Sequence, residues 1–268
     1  MSVQERAPAP TPVPQASVPP ASSGPISPLR VGYVMSRFPR LTETFIVTEV
    51  DAMRRLGVDV SLHPLHHEDA SVVQPAAAAL APLVDARHVT AARAFSGFFK
   101  AFGRAPVQVG GAARAVLDGN WGSRRLLGGA AAAFPFAVDL ARRVERQGLD
   151  HLHCHFATHP AAVGYVVHRL TGIPFSFTAH GSDLHRDQTM LCEKVDAAAF
   201  VVTVSDYNRQ VIADTCGPEA GAKVMIASRK AESLEEAAAE IGPHLASESV
   251  VINKSTVPVG STRVVEQA

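Results

Sequence analysis

FSFTAHGSDLH, running from Phe175 to His185, is the stretch on which the reading of this chain turns. Its first five residues are a short apolar run bounded by Pro174 and Gly181. A strand buried on both faces of a parallel sheet reads this way. The run then breaks into a polar turn holding His180, Gly181, Ser182 and Asp183. In open α/β sheets ligands bind in the crevice beyond the carboxyl ends of the strands. A His and an Asp at that edge therefore occupy the place where chemistry happens. Taken alone, His180 reads equally well as a turn residue satisfied by neighbouring backbone.

Working outward, strands and helices alternate. Ala198–Val204 reads as a strand, Ser205 as the cap of a helix over Asp206–Thr215, and Lys223–Ile226 as the start of a further strand. Upstream, His151–Phe156 predicts a strand and Pro160–Thr171 a helix with Pro in its first turn. Earlier still, Leu29–Met35 predicts a strand, Ser36–Thr42 a loop, and Thr42 the cap of a helix through Leu56. That helix carries Ile46, Val50 and Met53 at helical spacing. Gly57 stops it, and Val58–Leu65 is a second strand. The Ala-, Arg- and Gly-rich stretch from Glu68 to Gln147 predicts two or three amphipathic helices, with breaks near Pro106, Gly110–Gly111 and Gly119–Ser123. The repeated strand-then-helix order predicts an α/β fold, a Rossmann-like doubly wound parallel sheet.

Composition narrows the function. The 268 residues hold 25 Lys+Arg against 25 Asp+Glu, so no basic excess recruits nucleic acid. Cys154, Cys192 and Cys216 lie in three different predicted elements without CxxC spacing, which argues against a disulfide framework and suits a reducing compartment. The longest Ala-rich run, Leu126–Ala141, is interrupted by Gly128, Gly129, Pro135 and Asp139 and reads as an interior helix rather than a span. No secretory leader is visible, and a cytoplasmic location is expected. Residues 1–28 hold eight of the nineteen prolines and predict a disordered tail.

HLHCHFATH places His151, His153, His155 and His159 within nine residues. On a strand the first three share one face. Zinc sites usually draw ligands from more than one element, and no HExxH or CxxC pair accompanies this cluster, so no metal is expected. A strand sending polar residues toward the carboxyl-edge cleft fits better, with His155 and His159 nearest to it. Three loop tips, Ser36–Thr44, Phe156–His159 and His180–Asp183, should then share one rim. Each precedes a helix N-terminus able to hold anionic groups. Arg37 and Arg40 add positive charge, so the rim suits a phosphate-bearing or polyhydroxylated ligand.

Four of these stretches, SRFPRLTETFIVTEV (Ser36–Val50), HCHFATHPA (His153–Ala161), PFSFTAHGSDLH (Pro174–His185) and VVTVSDYNR (Val201–Arg209), occur in order. Together they resemble the N-terminal domain of family-4 glycosyltransferases, most nearly the colanic-acid/exopolysaccharide type, over about Leu29–Val224. The resemblance implies a GT-B fold of two Rossmann-like domains, the N-terminal one on the acceptor side. It implies that His180 is the active-site histidine and that the segment around Phe38, Pro39, Glu43 and Thr44 lines the acceptor side. Arg37, His155, His159, Gly181, Asp183 and Ser205, placed by the reading of the rim and loop tips, complete the expected substrate-binding set. For Glu43 and Thr44 a helix-start role stands beside this one. The implied partners are a nucleotide-sugar donor, acting as co-substrate with no other cofactor, and a glycan or lipid-linked acceptor. Peripheral association at the inner face of the membrane would go with such an acceptor.

The two-glutamate donor motif of that family does not appear. Instead Glu232–Ala268, with KSTVPVGS at Lys254–Ser261, resembles the late nucleotide-binding part of UDP-glucose/GDP-mannose 6-dehydrogenases. That family's glycine turn and catalytic-cysteine region are missing, so dehydrogenase chemistry is not expected. The expected layout is a tail over 1–28, an acceptor-side domain over 29–224 and a dehydrogenase-like fragment over 225–268. Three readings follow: a sugar transferase lacking its donor half, a non-catalytic acceptor-binding domain, and an inactive chimera.

Overall fold

The computed structural model describes residues 28–40, 42–67, 73–85, 91–122, 124–186 and 188–227. The Pro-rich stretch over 1–27 and the stretch Glu232–Ala268, with the expectations placed on them, lie outside the described residues. The chain opens with β1 (Arg30–Phe38), α1 (Thr44–Arg55) and β2 (Asp59–His67). Next come α2 (Pro75–Ala79), a 3₁₀ turn at Ala81–Leu83, and three longer helices, α3 (Ala91–Arg104), α4 (Pro106–Asn120) and α5 (Arg124–Gln147). The alternation then resumes with β3 (His151–His155), α6 (His159–Thr171), β4 (Phe175–Ala179), α7 (Ser182–His185) and α8 (Leu191–Ala197). It closes with β5 (Phe200–Thr203), α9 (Asp206–Cys216), α10 (Pro218–Ala222) and β6 (Val224–Ile226).

The six strands form one parallel sheet in the order β2-β1-β3-β4-β5-β6. This is the Rossmann-like architecture expected from the alternation. Strand order reverses between β1 and β3, which creates the switch-point crevice where such sheets hold ligands. Register puts Tyr33 beside His153, and His153 beside Ser176. Because side chains alternate faces, Leu152, Cys154, Phe175 and Phe177 point to a core shared with α4, α5 and α6. Tyr33, His153, His155, Ser176 and Thr178 point the other way, toward α1. Gly164 lets α6 lie close on that core: a Cβ there would come within 2.6 Å of Cys154 Sγ and 2.9 Å of a Phe175 ring carbon.

Several expectations need correction. β1 runs three residues past Met35, because Arg37 and Phe38 pair with His66 and His67 and join the sheet instead of the loop. Thr42 does not cap α1; Glu43 holds the cap position and makes no capping bond with its side chain. Gly110–Gly111 does not break a helix. α4 continues through both, held by the buried Val109, Ala112 and Val116, so packing overrides weak glycine propensity. α5, by contrast, runs through Gly128, Gly129 and Pro135 as the interior helix expected of Leu126–Ala141. Cys192 and Cys216, read as unpaired, are joined by a disulfide between α8 and α9. Their sequence separation of 24 residues hid the contact. Cys154 is a buried free thiol.

Candidate active site

The crevice is lined by the ends of β1, β3 and β4 and by the first turns of α1. After β3 the chain turns at Phe156, which takes a φ of 80° although it is not glycine. Such a backbone costs about 1–3 kcal/mol and persists where surrounding structure imposes it, as at functional sites. After β4 the turn is made by Gly181 at φ 105°, where a side chain would be strained. Both turns are tied by one buried carboxylate. Asp183 Oδ1 accepts the His180 amide at 2.9 Å, and Oδ2 accepts the Ala157 amide at 2.6 Å. Lys194 Nζ, itself buried, donates to the Ala157 carbonyl.

His180 stands where these turns meet. Its ring lies 4.5 Å from that of Phe45 on α1 and 4.7 Å from that of Phe156. Its Nε2 meets His155 Nδ1 at 3.3 Å. Behind it the polar face continues inward. His153 Nδ1 lies 2.8 Å from Ser176 Oγ and its Nε2 lies 2.9 Å from Thr178 Oγ1. Ser176 Oγ also meets His151 Nε2 at 2.7 Å. Glu49 reaches in from α1, accepting from Tyr33 Oη at 3.1 Å.

Burial sets the protonation of this cluster. It lowers the pKa of His153 to about 3, helped by the fields of His151 and His180. It holds His155 well below the usual imidazole range, helped by His153 and His180. Burial also lowers His180, with the Asp183 charge pulling the other way. These rings are therefore neutral at neutral pH. Glu49 is raised by burial, an effect opposed by the Tyr33 hydrogen bond. Tyr33 is itself pushed up by burial and by Glu49.

The structure brings together His155, His180, Gly181 and Asp183 as the sequence grouped them. It separates others. Phe38 is 3 % exposed and belongs to the cluster formed with Ile46 and Val47 under α1, so its side chain serves packing. Arg37 is exposed at the end of β1, and Pro39 follows half-buried. Glu43 is buried and accepts from Arg40 Nη1 at 3.1 Å, while Thr44 opens α1 with its side chain exposed. His159 points to the other side of the sheet, with its ring where Gly129 leaves space on α5. Ser205 caps α9 by accepting from the Asn208 amide at 3.3 Å, a structural role. Sequence reasoning missed Glu49, Tyr33 and Phe45. For Glu49 a signal existed, since a carboxylate three residues after Ile46 and one before Val50 borders the buried stripe of α1.

A family model for glycosyltransferase family 4 matches residues 42–227. The chain belongs to glycosyltransferase family 4. Among curated proteins none matches it. The match covers α1 through β6, so five of the six strands and His180 lie within it, and β1 precedes it. Among the described residues, no helix of this family-4 domain is long and apolar enough to cross a membrane.

Proposed function

We propose that this chain is the acceptor-side domain of a glycosyltransferase that moves a sugar from a nucleotide-sugar to a glycan or lipid-linked acceptor in exopolysaccharide synthesis. The observation that carries the reading is His180, neutral and pinned at the switch point with His155 on its Nε2. Its Nδ1 makes no hydrogen bond among the described residues, which suits it to an acceptor hydroxyl. In the transfer, the acceptor oxygen bonds to the anomeric carbon as the bond from that carbon to the nucleotide phosphate breaks. The hydroxyl proton passes to the departing phosphate oxygen or to solvent, and the neutral imidazole orients the hydroxyl through a hydrogen bond from its Nδ1–H. Phe45, Phe156 and Gly181 shape the wall around this ring, and Arg37 and Arg40 favour an anionic acceptor. The exopolysaccharide assignment rests on the order of the four quoted stretches.

A lipid-linked acceptor calls for a place at the inner face of a membrane. α3 exposes Phe95, Phe99 and Phe102 along one side at i, i+4 and i+7. This exposed apolar stripe supports peripheral association with a lipid surface. Phe99→Ser should lower co-sedimentation of the full chain with anionic vesicles several-fold; unchanged binding would remove the membrane from the proposal.

The central test is sugar transfer. With mass-tagged nucleotide-sugars and glycan acceptors, the full chain should form product, and His180→Ala should cut the rate by about 100-fold or more. One observation favours a second reading: the described residues build a single Rossmann-like domain, one wall of a cleft. An acceptor-binding domain would hold glycan without turnover, and His180→Ala would then change affinity alone.

A further inference from the structure

Glu49, His153 and His155 present one ligand atom each within 4.8 Å of one another. Glu49 Oε1 lies 3.7 Å from His153 Nε2, and Oε2 lies 3.7 Å from His155 Nε2. Around a four-coordinate zinc ion, neighbouring donor atoms sit about 3.3 Å apart. Small side-chain movements would therefore gather all three on one ion. His155 supplies an independent sign: it is fully buried, and its Nε2, aimed at the Glu49 carboxylate, has no hydrogen-bond partner. Buried polar atoms are rarely left in this way.

We propose that Glu49, His153 and His155 form a binding site for one divalent transition-metal ion, clasping α1 to β3 beside His180. Two imidazoles and a carboxylate are the donor set that suits zinc and cobalt over magnesium or calcium. The outer contacts are in place. Ser176 Oγ holds Nδ1 of His153, and His155 donates its Nδ1 proton to His180 Nε2, so each ligating ring has Nε2 directed at the ion. Tyr33 donates to Glu49 and fixes its carboxylate. Thr178, which meets His153 Nε2 at 2.9 Å, turns its hydroxyl aside when the ion takes that lone pair.

Charge argues the same way. Among the described residues no Lys or Arg pairs with Glu49, whose carboxylate is partly buried between neutral rings, and a dication supplies the missing positive charge. The Glu49 side chain is 39 % exposed, which gives the ion an entry path and leaves a coordination position for water or a substrate oxygen. The sequence argument against a metal assumed donors from one strand; α1 provides the second element. This site does not depend on the transfer reaction, and its test is separate.

The test uses the full chain without a polyhistidine tag, stripped with chelator and titrated with Co²⁺, then with Zn²⁺ as competitor. The expected result is one equivalent of Co²⁺ with the d–d absorption of a four- or five-coordinate site, displaced by Zn²⁺. Glu49→Gln and His155→Gln should each weaken binding about tenfold or more, since even outer-shell losses reach that size. His168→Gln, on α6 and outside the site, should bind as the parent does. Glu49→Gln sits on a partly exposed helix position and keeps the test open if His155→Gln does not fold. No cobalt band, or one equally strong in Glu49→Gln, would overturn the proposal.

Discussion

The two faces of β3 and β4 make the most instructive contrast in the molecule. The same ten residues present Leu152, Cys154, Phe175, Phe177 and Ala179 to one side and His151, His153, His155, Ser176 and Thr178 to the other. One side is a close-packed apolar layer under α6. The other is a ladder of imidazoles and hydroxyls facing α1. The period of two along a strand lets stability and chemistry share a backbone without sharing a side chain. It also means that each face answers to a different perturbation.

The largest effect should come from the apolar face. Phe177→Ala removes a fully buried ring and should cost about 3–5 kcal/mol in denaturant unfolding, with little change in the pH dependence of stability. A loss below about 1 kcal/mol would show that this face is not the structural one.

The imidazole face should instead respond to acid. His153 and His155 have folded pKa values below the unfolded value of about 6.5. Below that pH the unfolded chain binds protons that the folded chain refuses, so their stabilisation is complete above about pH 6.5 and is lost as pH falls toward the folded values. Each such histidine contributes a slope of about 1.4 kcal/mol per pH unit within its window. Glu49 has the opposite sign. Its raised pKa contributes stability at low pH that disappears as pH rises through the folded value. It offsets part of the slope, and the histidines outnumber it. Stability against heat should therefore fall steadily below about pH 6, and His153→Gln should flatten that trend. An unchanged slope in His153→Gln would mean that the ring is solvated in solution.

The smallest effect, and the one that sharpens the contrast most, is Ser176→Ala. The hydroxyl is fully buried and joins His151 to His153. Its loss should cost about 1–2 kcal/mol, because a buried ring nitrogen loses its partner. Measured beside Phe177→Ala, its neighbour on the opposite face, it gives the ratio of polar to apolar contributions within a single strand.

The two faces were not equally legible in the sequence. The Phe175–Ala179 strand coincides with its predicted bounds because Pro174 and Gly181 fence it on both sides. The single-face placement of His151, His153 and His155 follows from alternation alone. What lay opposite that face did not follow. Glu49 and Phe45 belong to a helix more than a hundred residues earlier, and only the β1–β3 pairing brings them near. The disulfide failed to show for the same reason, since α8 and α9 meet through tertiary packing. The Gly110–Gly111 pair misled because propensity describes an isolated helix, whereas α4 is held by Val109, Ala112 and Val116.

Asp183 deserves its place at the rim for a reason beyond hydrogen bonding. By holding the amides of Ala157 and His180 on its two oxygens, it removes the independence of two loops that the chain could otherwise move separately. The turn after β3 and the turn after β4 become one body with one set of fluctuations. A ligand that settles against Phe156 thereby settles His180 too, and the entropy of ordering the second loop has already been spent in folding.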